Sequence, residues 1–300
     1  MAALMTGAVE LPRDIFPTII NKAKDTSTIG TLSPSQPAKF MENDALVFTP
    51  SAEAEVVEEG AQKSSYEQKL GSAKGKMVTF QTTTRVSQQL IWADEDDQLE
   101  IIKNITSDQA DAAGRLLDYV VYHAVNPLPQ TELSGFKKLS DTARQVTGTG
   151  DAAADLEALI DALNQVYDIN GIALSRKFAS DLRKVRIPAN GARMYPDIPM
   201  NLAATSIEGV KAATSGTVDG VRAKAPTGVL AFAGDFSLIR WGMVRNLKAE
   251  IIQYGDPDGQ GDLKRLNQVA YRTEGVLVYT VLDPEGLAVL KQGQSKRKGA

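Results

Sequence analysis

Cysteine is absent from this chain of 300 residues, and histidine occurs only once. The absence of cysteine excludes disulfides, thiolate metal sites and cysteine nucleophiles, and it suits a reducing compartment. A single histidine excludes triads and metal sites that need several histidines from one chain. His123 falls near the end of a helical pattern, so we expect it to have a packing role. An enzyme built on this chain would have to rely on carboxylates, lysine, serine or tyrosine.

The sequence also lacks long apolar runs, nucleotide-binding motifs and a basic charge balance. No apolar run approaches about 18 residues and Met1–Gly7 has no signal-peptide pattern, so we expect a soluble, intracellular protein without a membrane partner. There is no GxxxxGK[ST], no GxGxxG after a strand, no HExxH and no GxSxG. The net charge is −4 and 6% of residues are aromatic, which disfavours a dedicated nucleic-acid binder. We therefore predict neither an enzymatic activity nor a cofactor.

Two strand-like runs separated by a long polar stretch are the most distinctive feature present. Ala52–Val57 and Met77–Arg85 are rich in β-branched and aromatic residues. The stretch EEGAQKSSYEQKLGSAKGK between them offers almost nothing to bury, and it is much longer than an ordinary hairpin connection. Because an isolated two-stranded ribbon is barely stable in water, we expect this ribbon either to be floppy or to lie on another chain.

A long amphipathic helix is predicted after the ribbon. The acidic run Asp94–Asp97 offers caps and negative charge that suit a helix N-terminus. Apolar residues then recur at three- and four-residue steps from Leu99 to Ala124, and Pro127 ends the pattern. This spacing predicts one continuous helix of about thirty residues.

The remaining segments mix helices, strands and extended chain. Before the ribbon, a short helical pattern at residues 14–20 is followed by an extended arm that contains Pro34 and Pro37. The middle of the chain predicts helices at Asp151–Tyr167 and Lys177–Val185 and buried strands at Gly171–Leu174 and Gly228–Ala233. Two long strands follow, Leu238–Gly255 and Leu266–Pro284, and the second is apolar on both faces and therefore central in its sheet.

The turn between the two late strands contains a candidate metal site. Asp256, Asp258 and Asp262 lie in DPDGQGD, which resembles the start of a calcium loop. Asn267, however, stands where such a loop needs a bidentate glutamate, and the flanking segments are predicted strands rather than helices. We therefore favour a hairpin turn over a metal site.

The order of these parts resembles the major capsid proteins of tailed bacteriophages, which share the Johnson fold. The resemblance covers about residues 10 to 290 and is carried by a colinear set of segments: AEVVEEGAQK, VSQQLI, GIALSRKFASDLRKV, GARMYPDIP, GDFSLIRWG and NQVAYRTEGVLVYTVLDPEGLAVL. It implies an α+β fold with an N-terminal arm, an extended β-hairpin loop, a long spine helix in a peripheral (P) domain and a mixed α/β axial (A) domain. The implied boundaries are the arm at residues 1–48, the extended loop at 49–86, the P domain with its spine helix at 87–132, the A domain at 133–245, P-domain strands at 246–292 and a basic tail at 293–300.

The resemblance also implies a function and a set of partners. The chain would assemble in the cytoplasm of a host bacterium into hexamers and pentamers that form an icosahedral virion shell around double-stranded DNA. Scaffolding, portal and decoration proteins would be further partners, and packaged DNA would be contacted non-specifically. Two alternatives stay open: an encapsulin-type shell with the same fold, and a carboxylate-dependent metal enzyme that uses the aspartates of the turn.

Some relatives join their subunits covalently, and the resemblance places candidate residues for this reaction. Lys63 falls at the position of the attacking lysine, Asn267 at that of its asparagine target and Glu274 at that of the assisting glutamate. Asn267 and Glu274 are seven positions apart in the sequence, so an unbroken strand would point them to opposite faces. We expect Lys63 to form an ordinary salt bridge at a subunit contact instead.

Overall fold

The computed structural model describes residues 26–36, 45–49, 56–57, 69–97 and 101–293. Lys63, the predicted helix at residues 14–20 and nearly all of the basic tail lie outside these residues. Six α-helices occur in this part of the chain: α1 (Thr28–Leu32), α2 (Gln88–Asp97), α3 (Ile101–Asp118), α4 (Leu139–Thr142), α5 (Ala152–Asn164) and α6 (Arg176–Lys184). None of the helices described is long and apolar enough to cross a membrane.

Thirteen strands form four sheets in the described residues. They are β1 (Ala45–Thr49), β2 (Lys69–Ala73), β3 (Lys76–Ser87), β4 (Val125–Asn126), β5 (Thr131–Glu132), β6 (Arg144–Thr147), β7 (Gly171–Leu174), β8 (Ser206–Ile207), β9 (Val210–Thr214), β10 (Val229–Gly234), β11 (Ile239–Ile252), β12 (Gln268–Val281) and β13 (Leu287–Lys291). The two main sheets have the orders β11-β12-β3 and β6-β13-β10-β7-β9-β8.

The three-stranded sheet confirms the two late strands and the central place of the second. β12 pairs with β11 on one side and with β3 on the other, and both pairings are antiparallel. The register with β3 runs without interruption from Gln268 opposite Ser87 to Tyr279 opposite Lys76. β12 is thus the central strand of its sheet, and most of its side chains are buried. A central strand buried on both faces needs apolar residues on both, as the sequence of β12 has.

The ribbon differs from its prediction. Its strands are β1 and β2, which pair from Ala45 opposite Ala73 to Thr49 opposite Lys69. Val56 and Val57, at the end of the predicted first strand, lie in no strand. The predicted second strand is confirmed as β3, but β3 pairs with β12 because Val78 and Phe80 pack on the main hydrophobic core. β3 follows directly from the ribbon, since only residues 74 and 75 separate it from β2.

The helical region also differs from its prediction. α2 begins at Gln88, directly after β3, so the acidic run Asp94–Asp97 lies at the end of a helix rather than at its start. Burial decides this start, because Leu90 is fully buried against Val86 on β3 and Val269 on β12. α3 then runs into a π-helical turn, Tyr119–His123, which ends at Ala124 with a left-handed φ of 50°. The predicted helix from Leu99 to Ala124 is confirmed over Ile101–His123, and its last five residues are π-helical.

The six-stranded sheet separates two hydrophobic cores. Since neighbouring side chains of a strand point to opposite faces, Ala231 and Ala233 of β10 contact α5 and α6 on one face, whereas Phe232 packs on the other. Phe232 stacks on Tyr122 of the π-helical turn with ring centroids 4.3 Å apart. The predicted helices in the middle of the chain are confirmed as α5 and α6, and the predicted buried strands as β7 and β10.

The end of the chain returns to this sheet. β13 follows β11 and β12 in the sequence, and the predicted boundary at residues 246–292 groups it with them. In the structure it pairs with β10 and with β6, which is an edge strand of the six-stranded sheet. Leu287, Ala288, Val289 and Leu290 are all fully buried, so this strand is apolar on both faces and fits between two other strands.

Candidate functional site

The acidic turn between β11 and β12 is built around a buried arginine from β3. The Nε atom of Arg85 donates to both carboxylate oxygens of Asp258, at 2.8 and 3.0 Å. Its second terminal nitrogen donates to Asp256 at 2.8 Å and to the carbonyl oxygen of Gly261 at 2.9 Å, and it also contacts Asp258. The Arg85 side chain is 3% exposed, against 38% for Asp256 and 23% for Asp258. A fixed planar fork of donors thus holds a turn rich in carboxylates and glycines.

This geometry accounts for the three aspartates of the candidate metal site. Asp256 accepts backbone N–H groups from Gln260 and Gly261 as well as the arginine, and Asp262 accepts the N–H of Arg265. Hydrogen bonding to Arg85 lowers the pKa of Asp258, and hydrogen bonds from the backbone, chiefly from Gly261, lower that of Asp256. The structure brings Asp256 and Asp258 together, and both carboxylates bind the guanidinium of Arg85. Among the described residues, no group of three or more metal-ligating side chains is present.

The candidate crosslinking residues are only partly placed. Lys63 lies outside the described residues. Asn267 is exposed and stands just before β12 with a left-handed φ of 52°, so it is not part of an unbroken strand with Glu274. Strand alternation therefore does not determine the direction of the Asn267 side chain relative to that of Glu274. Glu274 is exposed on β12, with its carboxylate 3.6 Å from the guanidinium of Arg272.

A second polar cluster, which the sequence reasoning missed, holds the arm against the end of α3. Asp118 has no solvent exposure. Its carboxylate accepts hydrogen bonds from the hydroxyl of Ser27 (2.6 Å), the amide and hydroxyl of Thr28 (2.8 and 3.0 Å) and the amide of Ile29 (3.1 Å). The hydroxyl of Thr217, from the loop after β9, donates a fifth hydrogen bond at 2.5 Å. Residues 27–29, the end of α3 and the loop after β9 therefore meet at one carboxylate.

Burial and hydrogen bonding act on Asp118 in opposite directions. Removal from water raises the pKa of this carboxyl above its ordinary value, and the donors from Ser27, Thr217, Thr28 and Ile29 oppose that rise. A buried carboxylate is tolerated only where such donors satisfy it. The sequence contained a signal for this cluster, because Asp118 stands inside the predicted apolar stripe, next to the buried Leu117.

The arm continues from this cluster along the edge of β11. The arm was predicted to be extended, but it contains the short helix α1. Ser27 caps this helix by accepting the backbone N–H of Gly30, and the fully buried Ile29 packs into the core. Beyond α1, the Ser33 hydroxyl donates to the carbonyl of Ile239 at 2.8 Å, and the Trp241 indole donates to the carbonyl of Ser33 at 3.0 Å. Residues 27–33 of the arm are therefore fastened to the body of their own chain.

Two further buried polar side chains secure α3 and the turn after it. The Gln109 amide donates to the Thr84 hydroxyl and the Tyr271 carbonyl at 3.0 Å each, and it accepts from Thr273 at 2.6 Å. His123 is buried with Nε2 3.0 Å from the carbonyl of Val218, which confirms its packing role. Burial lowers the pKa of His123 to about 4, so the ring is neutral at ordinary pH and Nε2 is the donor.

Comparisons with known proteins agree on one family. The model of the phage capsid family matches residues 7–292. A solved structure from Mycobacterium phage Ogopogo is 33% identical, with a TM-score of 0.82 over 97% of this chain and 100% of that chain. One from Gordonia phage Cozz is 29% identical, with a TM-score of 0.79 over 95% and 92%. The capsid of a native GTA particle shares the fold at 14% identity, with a TM-score of 0.64 over 96% of each chain. No curated protein matches the sequence.

Proposed function

Because this chain belongs to the phage capsid family and is a major capsid protein with the Johnson fold, we propose that it assembles into hexamers and pentamers that enclose double-stranded DNA in an icosahedral head. The observation that carries this proposal is the family match over residues 7–292, nearly the whole chain. The shell protein acts by packing against copies of itself, and its role is structural.

The described contacts distinguish parts of the subunit that are fastened to one another from the ribbon, which is not. Arg85 fastens the turn after β11, Gln109 fastens the spine helix to its sheet, and Asp118 fastens the arm. The ribbon strands β1 and β2 pair with each other and with no other described strand. Since a lone two-stranded ribbon is barely stable, it gains most from lying on an adjacent subunit. We propose that these fastened parts stay rigid while the ribbon makes the contact between subunits.

Electron microscopy of the expressed protein tests the proposal. We expect closed shells with fivefold and sixfold rings of subunits, and DNA inside particles purified from infected cells. Shells that enclose a cargo enzyme through a short peptide would instead support the encapsulin alternative. A stable monomer at high concentration in size-exclusion chromatography, active only with a divalent metal, would support the enzyme alternative and contradict the proposal.

We further propose that the shells are held without covalent bonds and that Lys63 makes a salt bridge to a neighbouring subunit. Boiling mature particles in detergent should then release a single band near the chain mass of 32.2 kDa. A ladder of multiples that disappears in Lys63→Ala particles would contradict this proposal. In that case, testing Asn267→Ala and Glu274→Ala separately would establish whether those residues take part.

Scaffolding, portal and decoration proteins belong to the same proposal as further partners. Co-expression with the neighbouring genes of the phage tests the need for a scaffold. Closed shells of uniform size from this chain alone would contradict that need. Non-specific contact with packaged DNA predicts that empty and filled particles share the same subunit fold.

A further inference from the structure

A hairpin after α6 places two arginines directly opposite each other. Arg186 and Arg193 form an isolated antiparallel bridge. The bonds on either side run from the amide of Ile187 to the carbonyl of Ala192 (2.9 Å) and from the amide of Met194 to the carbonyl of Val185 (3.2 Å). This pattern marks a non-hydrogen-bonded pair, in which side chains lie closest. Their Cβ atoms are therefore about 4.5–5.5 Å apart.

The arginine pair forms no ion pair in the described part of its own chain. Arg186 donates to the carbonyls of Arg183 (2.9 Å) and Val185 (3.3 Å), and neither Arg186 nor Arg193 forms an ion pair with a described carboxylate. Both side chains are exposed. Like charges directly opposite each other on two strands are destabilising. The free subunit thus presents a doubly positive hairpin that an anionic partner would stabilise.

An opposite pair with matching spacing stands on α5. Glu157 and Asp161 are one helical turn apart, and both are exposed. Neither forms an ion pair with a described residue. Like charges at this spacing destabilise a helix, and their Cβ atoms lie about 5–6 Å apart. A cationic partner would therefore stabilise the acidic pair, as an anionic one would stabilise the arginine pair.

We propose that the Arg186–Arg193 pair of one subunit binds the Glu157–Asp161 pair of an adjacent copy. The inference rests on the proposed function, because a ring of copies joins two different surfaces of the chain at every contact. Each guanidinium fork matches one carboxylate, and the two spacings agree. A second copy is favoured over DNA, since one such contact neutralises both like-charged pairs, whereas DNA would leave the acidic pair facing solvent.

Charge reversal on each side, alone and together, tests the pairing. The variants are Arg186→Glu/Arg193→Glu, Glu157→Arg/Asp161→Arg, and all four substitutions in one chain. The matched control is Arg222→Glu/Lys224→Glu, which makes the same charge change at two exposed positions on another loop. All the altered side chains are exposed, so circular dichroism of the unassembled subunits should match the original chain. Shell yield is measured by gradient centrifugation and microscopy.

We expect either reversed pair to lower the shell yield about tenfold, because like charges then meet across the contact. The fourfold variant should recover to within about threefold of the original chain, and the control should stay close to it. No loss in either reversed pair, or no recovery in the fourfold variant, would overturn the pairing. Full shell yield with reduced DNA content in the arginine variant would also overturn it, in favour of DNA binding. If the pairing is overturned while the original chain still forms shells in the same preparations, the proposed shell function stands and only the pairing is wrong.

Discussion

Arg85 on β3 and Asp258 in the turn before β12 are 173 positions apart in the sequence, and they form a two-pronged ion pair with contacts of 2.8 and 3.0 Å from Nε. The arginine is buried, whereas the aspartate keeps some contact with water. This ion pair fixes the long polar turn between β11 and β12 to strand β3 of the same sheet. It also explains why the sequence resembles a cation-binding loop, since the guanidinium is the cation that its carboxylates bind.

Replacing Arg85 with methionine should destabilise the subunit. The change leaves Asp256 and Asp258 without their cation, and we expect a loss of about 2 kcal/mol in the free energy of unfolding, below the range for fully buried pairs. Urea unfolding of the unassembled subunit measures it. As a control, Lys138→Met breaks the exposed pair with Glu132 and should cost under about 1 kcal/mol. Equal losses in the two variants would contradict the role of Arg85.

His123 should make the stability of the subunit depend on pH between about 6.5 and 4. In the native state its pKa is lowered to about 4, so in this range the unfolded chain binds a proton that the native chain does not. Stability should therefore fall as pH falls, by about 2 kcal/mol between pH 7 and pH 5. His123→Gln should flatten that slope in urea titrations at the two pH values. An unchanged slope would show that another group is responsible.

Asp118→Asn should loosen the arm before it loosens the rest of the subunit. An asparagine has one acceptor oxygen and brings two donors of its own, so several of the five donors around the carboxylate would lose their partner. We expect a loss of about 2–3 kcal/mol, and faster hydrogen exchange at the amides of Thr28 and Ile29 than at those of β12. Asp168→Asn, at an exposed position, is the control. Uniformly faster exchange throughout the subunit would contradict a local anchor.

Two glycines should respond in opposite ways to alanine. Gly234 has a φ of +140°, and an added Cβ would lie 2.3 Å from the carbonyl oxygen of Gly286, so Gly234→Ala should cost at least about 3 kcal/mol. Gly114 lies inside α3 with nothing within 4 Å of an added Cβ, so Gly114→Ala should stabilise by about 0.5–1 kcal/mol. Thermal unfolding of both variants measures the contrast. A loss in Gly114→Ala would show that this face of α3 is more crowded than described.

The spacing of apolar residues in the sequence was enough to predict the helices and strands whose buried residues recur at regular intervals. β7, β10, β12 and α5 were all evident because their apolar residues alternate, run together or recur at helical steps. The start of α2 was not evident, because the acidic run at residues 94–97 is a helix-start signal and the burial of Leu90 overrode it. That burial depends on β12, which lies far away in the sequence.

The polar contacts of the candidate site could not be predicted from neighbouring residues either, because they join residues that are far apart in the sequence. Arg85 finds its aspartates, and Asp118 its arm donors, across separations of 173 and 90 positions. Nothing in the neighbourhood of either residue identifies its partner. Asp118 was nevertheless conspicuous as a charge inside an apolar stripe, and such a residue demands several donors wherever it is buried. The π-helical turn that follows it has no comparable sequence signal.

The direct passage from the ribbon into β3 has a mechanical consequence. Tension applied to the ribbon in line with β3 would act on the pairing of β3 with β12, which runs uninterrupted from Lys76 to Ser87. Force in that direction loads the backbone hydrogen bonds together, in shear, instead of opening them one at a time like a zipper. Arg85 lies near the far end of this strand and ties the loaded segment to the turn. Tension in line with β3 would thus be carried by the three-stranded sheet.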